Sequence, residues 1–410
     1  MTFHVSRFTL ANNRQKTLIL SFALVVVMLG VGIVYPIFPF FITELGASGT
    51  ELGLLAATSA LLEFVFAPIW GSVSDRTGRK PILMVGMVGY GLSMLLFGLA
   101  TQLWMLFASR ALSGILSSAT LTTAMAYVGD TTSEEERGGG IGLLEAAMAL
   151  GVILGPGMGG WLAGDSLSTP FFIAAGMSLV SLLLIFILLP ESLPAEARQQ
   201  IEGKVSTVQL SELWRALFSP IGVLLFMVAL FSFALTNFEA VFGLYALEKF
   251  GYGPERVGTI LMVVAIVSTV GKAALTGPTI KRWGEATVIK ASLLAGSVGF
   301  AVLLLANTYV TILLATGFFI LSKTLLRPSA LSLISKRATG GQGAAMGLSN
   351  SFMSLGRIAG PIWAGAVFDV NYNYPYLSGS AILFIGFLIS LAWVSQGRVT
   401  TYPPASRETG

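Results

Sequence analysis

The chain contains no cysteine and a single histidine, His4. Disulfides, thiolate metal sites and thiol nucleophiles are therefore excluded, and one imidazole outside any apolar run does not build a metal site by itself. Charge is also scarce. Asp, Glu, Lys and Arg together make up 11% of the residues, less than half of the roughly 25% that clothes a soluble domain. No phosphate-binding loop, nucleophile–base set or cluster of metal ligands is apparent, so neither an enzyme nor an ATP-driven pump is expected, and no cofactor or metal.

What fills the gap is apolar sequence, 54% of the chain with a mean hydropathy of +0.81. Residues 17–43, 81–109, 291–322 and 370–397 hold no acid, lysine or arginine. Each run exceeds the roughly 20 residues that cross a bilayer as a helix, the form in which lipid-exposed backbone satisfies its own hydrogen bonds. The first run is longer than a leader's apolar core and contains Pro36 and Pro39, so it is expected to be a spanning helix.

Twelve spans are predicted, near 17–42, 50–72, 81–100, 103–127, 139–163, 170–189, 219–246, 254–280, 286–306, 308–333, 342–368 and 374–396. An N-terminus inside places sixteen lysines and arginines in inner segments, against Lys249 and Arg256 outside. That asymmetry predicts both termini in the cytoplasm of a multi-pass cell (inner or plasma) membrane protein. It also accounts for the net charge of +4 without nucleic acid.

The polar stretch after Pro190 separates a six-helix bundle at 1–190 from a second at 219–398, with a linker at 191–218 and a tail at 399–410. The halves repeat. Gly155-Pro156 corresponds to Gly360-Pro361, and Met148, Leu150, Gly151 and Gly160 to Met353, Leu355, Gly356 and Gly365, all 205 positions on. Gly46 and Gly53 correspond to Gly251 and Gly258 in the same register; Gly71 and Gly78 correspond to Gly277 and Gly284 one position later. Such a repeat predicts two similar bundles with a binding site between them near the midplane.

Between the second and third spans lies Gly71-Ser-Val-Ser-Asp75-Arg76-Thr-Gly78-Arg79-Lys80. Its glycines suit close helix approach and a tight turn, and Asp75 at a helix end can engage a partner helix's N-terminal dipole. The segment resembles the signature loop of the major facilitator superfamily, with Val73 in place of the usual leucine. Leu106 with Arg110-Ala-Leu-Ser-Gly114 resembles that family's buried-arginine motif. Gly151-x-x-x-Gly155-Pro156-x-x-Gly159-Gly160 is similar to the antiporter motif of its drug:proton exporters; small residues at this spacing pack helices closely, and the proline bends one. With Asn237-Phe-Glu239, Leu326-Arg327-Pro328 and Gly360-Pro361 followed by Ala366-Val-Phe-Asp369, the likeness runs over the whole chain, toward the quinolone and tetracycline efflux branch. It implies an all-α membrane protein of the major facilitator fold: 12 transmembrane helices in two pseudo-symmetric six-helix bundles. It further implies alternating access and proton-coupled export of small molecules by a monomer in the lipid bilayer. Several relatives carry an aspartate where Thr324 stands here.

Eight ionisable side chains fall inside the predicted spans: Glu63, Arg110, Glu145, Glu239, Lys272, Lys323, Arg327 and Arg357. Each would cost about 2.5–3.5 kcal/mol at the centre of a lipid-exposed helix on insertion scales, so they are expected to face one another or a watery cleft. Glu239 is the first candidate for holding either a proton or a cationic guest, the alternative being an ion pair with Lys272, Lys323 or Arg327. Glu145, Glu63 and Arg110 complete the expected proton-coupling set; for each a purely structural role stands beside it. Tyr35, Phe38, Asn237, Phe238, Phe242 and Arg327 are expected to contact substrate, because aromatic faces attract organic cations. Five cations against three acids leave a second reading open, an anionic or lipid-like amphiphile. A third is a receptor or scaffold that does not transport.

Overall fold

The computed structural model describes residues 2–164, 166–194, 196, 198, 210–338 and 341–394, with backbone alone at 2–15, 134–137 and 210. The expected tail and much of the expected linker lie outside the described residues. Among the described residues twelve long helices follow one another: α1 Thr2–Glu44, α2 Gly49–Thr77, α3 Arg79–Gly98, α4 Leu103–Thr131, α5 Glu134–Leu162 and α6 Thr169–Leu188, then α7 Gly222–Phe250, α8 Pro254–Trp283, α9 Glu285–Leu305, α10 Tyr309–Arg337, α11 Gln342–Phe368 and α12 Tyr374–Trp393. Eleven are long and apolar enough to cross a membrane. The remaining one, α11, is diluted by glycine, serine, asparagine and Arg357, but it packs between α7 and α2 like a spanning helix. A short helix, Leu210–Leu217, precedes α7.

Two spans are interrupted beside cations that fall inside them. In α4 the turn Ser113–Ser117 is π-helical, just after Arg110; π-turns concentrate at functional sites because the extra residue re-aims its neighbours. In α10 the helix breaks at Leu325, between Lys323 and Arg327. Pro328 has no N–H for the Thr324 carbonyl and its ring crowds that turn, which places the break.

The buried apolar side chains form two cores. One draws on residues 20–189 together with Leu244 and is centred on the stacked Phe97–Phe171 pair with Phe38 and Phe41. The other draws on residues 213–394 around Phe300, Phe319, Phe238 and Tyr376. Leucines and isoleucines such as Leu179, Ile187 and Leu314 stay exposed on the outside, as the lipid-facing surface of a membrane bundle requires.

The repeat has a structural meaning. Gly46 and Gly251 both take positive φ, +70° and +66°, and so do Gly78 and Gly284, +107° and +75°. Within each half the glycine-proline helix lies on the first helix. A Cβ on Gly151 or Gly155 would meet the α1 backbone at 2.6–2.8 Å, and one on Gly159 would meet Ile33 O at 2.8 Å. Gly356 and Gly360 lie against α7 in the same manner.

Between the halves two seams form, α2 with α11 and α5 with α8. A Cβ on Gly53 would lie 2.2 Å from Pro361 O, on Gly365 2.1 Å from Gly49 O, on Gly160 2.3 Å from Pro254 O and on Gly258 2.3 Å from Pro156 O. All four contacts lie at the end opposite the chain termini, here called distal. Toward the terminal end the same helices diverge: Gly71, Gly142, Gly277 and Gly347 have nothing within 4 Å of a built Cβ. The bundles are closed at the distal end and open at the terminal end.

Candidate functional site

The divergence leaves two connected spaces between the bundles. The inner chamber, about 160 Å³, is lined by Tyr35 and Phe38 of α1, Ser59 and Glu63 of α2, Arg110 of α4 and Arg357 of α11, among others. The vestibule, about 760 Å³, is lined by the terminal halves of α2 and α11 and by the Leu210–Leu217 helix. Glu63 and Ala67 line both.

Glu63 and Arg357 join the bundles by a two-pronged ion pair, Nη1–Oε1 3.1 Å and Nη2–Oε2 2.9 Å. Both lie mid-helix. Arg357 is thus at the centre of α11 and not near either end. Arg110 donates to Ser59 Oγ at 2.6 Å and lies 5.7 Å from the centre of the Phe38 ring, while its Nε has no partner among the described residues. Tyr35 lies among Glu239, Arg357, Arg110 and Glu63, within the reach of their charges.

Glu239 is half-buried on α7, with Lys323 and Arg357 as its cationic neighbours. No direct ion pair or hydrogen bond engages it among the described residues. Lys323 is 3% exposed, its ammonium unpartnered among the described residues and held 4.5 Å from the Phe319 ring and 5.5 Å from that of Phe231. Arg327 is exposed between the bundles, near Glu145 and Arg357. Glu145 approaches Lys272 across the α5–α8 seam at 4.0 Å, both side chains largely in solvent.

Three expected contact residues are elsewhere. Asn237 is fully buried and donates from Nδ2 to Pro375 O of α12 at 2.9 Å. Phe238 and Phe242 are fully buried in the second core, 4.8 Å apart, with Phe238 also against Phe319 and Tyr376. For Asn237 and Phe238 the cause is helical geometry. A residue next to Glu239 in sequence points about 100° away from it, and the α7 residues that reach the chamber are Thr236 and Ala240.

The signature loop is organised within the first bundle. Arg79 is almost fully buried and bonds Asp75, Asp130 of α4 (Nε–Oδ2 2.9 Å) and Ser74 Oγ. Gly78 makes the turn at positive φ, against Glu191, whose carboxylate accepts from the backbone of Arg79 and Lys80 and so caps α3. Arg198 reaches Glu191 and Thr77 O. The terminal ends of the two bundles stand apart here, and Asp75, 41% exposed, has Arg79 as its ion-pair partner, not α11.

The helix-end engagement that spacing suggested for Asp75 occurs at the distal end with another residue. Asp369, after α11, accepts from the backbone of Gly49 (2.7 Å) and Thr50 (2.9 Å) at the start of α2. Charge-assisted bonds to a helix N-terminus hold this end shut. Asp369 is exposed, so water takes back part of the contribution. Asp369→Ala is expected to shift the molecule toward distal opening about tenfold. Thiol labelling of an Ala56→Cys chamber probe from the distal side checks this, and the absence of native cysteine leaves no background.

Two pseudo-symmetric helical bundles with a cleft open at one end define a membrane transporter that moves a small molecule between its halves. Residues 20–323 and 241–410 match the Major Facilitator Superfamily. Multidrug resistance protein 2 of Bacillus subtilis is 32% identical over 93% of this chain and 96% of its own. Quinolone resistance protein NorA of Staphylococcus aureus is 27% identical over 92% and 96%. Among solved structures, the nucleoside transporter NupG superposes with a TM-score of 0.78 at 14% identity over 93% of this chain and 99% of its own. A bacterial homologue of the lysosomal transporter Spinster, inward-facing and unoccupied, gives 0.76 at 14% over 93% and 98%. The chain belongs to the major facilitator superfamily.

Proposed function

We propose that the chain is a proton-coupled exporter of lipophilic, often cationic, small molecules, working by alternating access from an open end that faces the cytoplasm. The observation that carries this reading is the placement of Glu239. It lies mid-span on the helix that faces α1, between Tyr35 of one bundle and Lys323 and Arg357 of the other. A carboxylate there can exchange a proton for a cationic guest, and the exchange alters the charge balance across the bundle interface. The full-length similarity to two proteins named for multidrug resistance supports the same reading. Glu145 and Arg327, at the edge of the cleft, belong to the same charge set.

Resistance profiling of cells expressing wild type or Glu239→Gln tests it. Protection against cationic drugs is expected to fall, and substrate-dependent proton movement in proteoliposomes to approach background, with surface expression unchanged. Equal protection by both removes Glu239 from the mechanism.

One observation favours the anionic alternative. Arg110, which lines the chamber, has no carboxylate at ion-pair distance among the described residues, which leaves the chamber lining of Glu63, Arg110 and Arg357 with one more cation than acid. A pump that protects against acidic amphiphiles and not against cations would support that reading.

A further inference from the structure

The Glu63–Arg357 pair stands where the vestibule meets the inner chamber, since Glu63 lines both and Arg357 lines the chamber alone. With Ala67, Glu63 forms the boundary that the two spaces share. The two side chains remain 37% and 40% exposed, so water reaches them and a competing ion can as well; a pair this wet contributes little net stability. Arg357 also has a second anionic neighbour, Glu239 of α7, within the reach of its charge. A displaced guanidinium therefore has another carboxylate to turn to.

The vestibule has the form of a ligand site. Its volume of about 760 Å³ falls in the range of roughly 300–1,000 Å³ that takes drug-sized molecules. Phe64 and Pro68 of α2, Leu213 and Ala216 of the short helix and Leu348 of α11 supply apolar walls. Glu212 and Arg215 stand among the lining residues with opposite charges, so the anionic group at the inner end is Glu63.

We propose that the vestibule is a first binding site for amphiphilic organic cations, anchored on Glu63, and that the cation gains the inner chamber by displacing Arg357 from Glu63. The inference rests on the export reading above. No charge is created or lost in the exchange: the guest neutralises Glu63, and Arg357 passes to Glu239. Glu63 thereby selects for positive charge at the entrance, before any proton step at Glu239.

Equilibrium binding of tetraphenylphosphonium, and of its anionic isostere tetraphenylborate, to purified full-length protein in lipid nanodiscs tests this. Glu63→Gln is expected to weaken the cation about tenfold. Arg357→Gln, which leaves Glu63 unopposed, is expected to tighten it, and the borate to respond with the opposite sign in each variant. Should Glu63→Gln fail to fold, the sign of the Arg357→Gln effect decides. Weaker cation binding in both variants would make the pair a structural brace and overturn the proposal. If wild type binds the phosphonium, Glu239→Gln weakens it and Glu63→Gln leaves it unchanged, the vestibule assignment falls and the export reading stands. If wild type binds neither ion, both fall.

Discussion

Gly160→Leu is expected to abolish transport while leaving a folded, membrane-inserted protein open at the distal end. In the present state a Cβ at this position would lie 2.3 Å from Pro254 O and 3.1 Å from the Cα of Gly258. Both are backbone atoms, so no side chain can swing aside. Overpacking a seam costs about 1–3 kcal/mol where the surroundings can adjust, and more where they cannot. About 3 kcal/mol already moves a two-state equilibrium by more than a hundredfold. The penalty applies only when the distal seam is closed, so it selects the opposite state without unfolding either bundle.

Gly142→Leu supplies the mirror experiment. Gly142 lies one helical turn from Glu145, which approaches Lys272 of α8, so it shares the face turned to that seam. It has nothing within 4 Å in the present state. Bulk there is expected to oppose closure of the terminal end and hold the molecule as it stands here. Single cysteines placed at Ala56 in the chamber and Ser351 in the vestibule read the two outcomes: Gly160→Leu should raise distal labelling of the first and lower terminal labelling of the second. Unchanged labelling with activity retained would mean the glycine seams do not report the transport cycle.

Much of the fold was legible because membrane burial leaves coarse marks. A charge-free run of 25 or more residues has few structural options, and a glycine at the same offset in both halves marks the same backbone turn twice, as Gly78 and Gly284 do. The buried ions were legible for a related reason, since an acid inside an apolar run needs a partner or water. Which partner was not legible. Glu63 and Arg357 are separated by 294 positions and meet only because two bundles lie side by side. The aromatic neighbours of Glu239 misled for want of an amphipathic signal: α7 is apolar on nearly every face, so sequence does not tell which face meets the cleft. Phe238 and Phe242 fill a core where a pocket wall was expected, while Tyr35 and Phe38 on α1 do line the chamber. Asp369 stood in a recognised segment, but its work of capping α2 depends on a contact across the distal seam.

The seams and the ion pairs divide the work by position. Glycines close the distal end through backbone contact, which is short-ranged and all-or-none. The midplane and the terminal end rely on charges, where water enters and partners can change, while at the distal end Asp369 adds a charge-assisted cap to the glycine contacts. On the export reading proposed above, alternation needs both kinds of contact: one fixes what a closed end is, the other lets a guest or a proton bias which end closes.

On the same reading the signature loop has to survive every cycle, and Arg79→Met is expected to be the most damaging substitution within it. Arg79 is 7% exposed and spreads its guanidinium over Asp130 of α4, Asp75 of α2 and Ser74. Methionine keeps the apolar stem but leaves Asp130 and Asp75 close together without their cation. Removing one partner of a fully buried pair costs about 3–5 kcal/mol. Asp130 and Asp75 are 24% and 41% exposed, which reduces that to about 2 kcal/mol. For a bundle of this size the apparent melting temperature should fall by about 4–8 °C, measured by thermal shift in detergent. Arg79→Lys keeps the charge but cannot present a planar fork to two carboxylates and a hydroxyl at once, so it should recover only part of the loss. Asp75→Asn, at the exposed edge of the same cluster, should cost less than either. If Arg79→Met melts with wild type, the cluster is a set of solvated surface pairs and does not hold the first bundle's terminal end together.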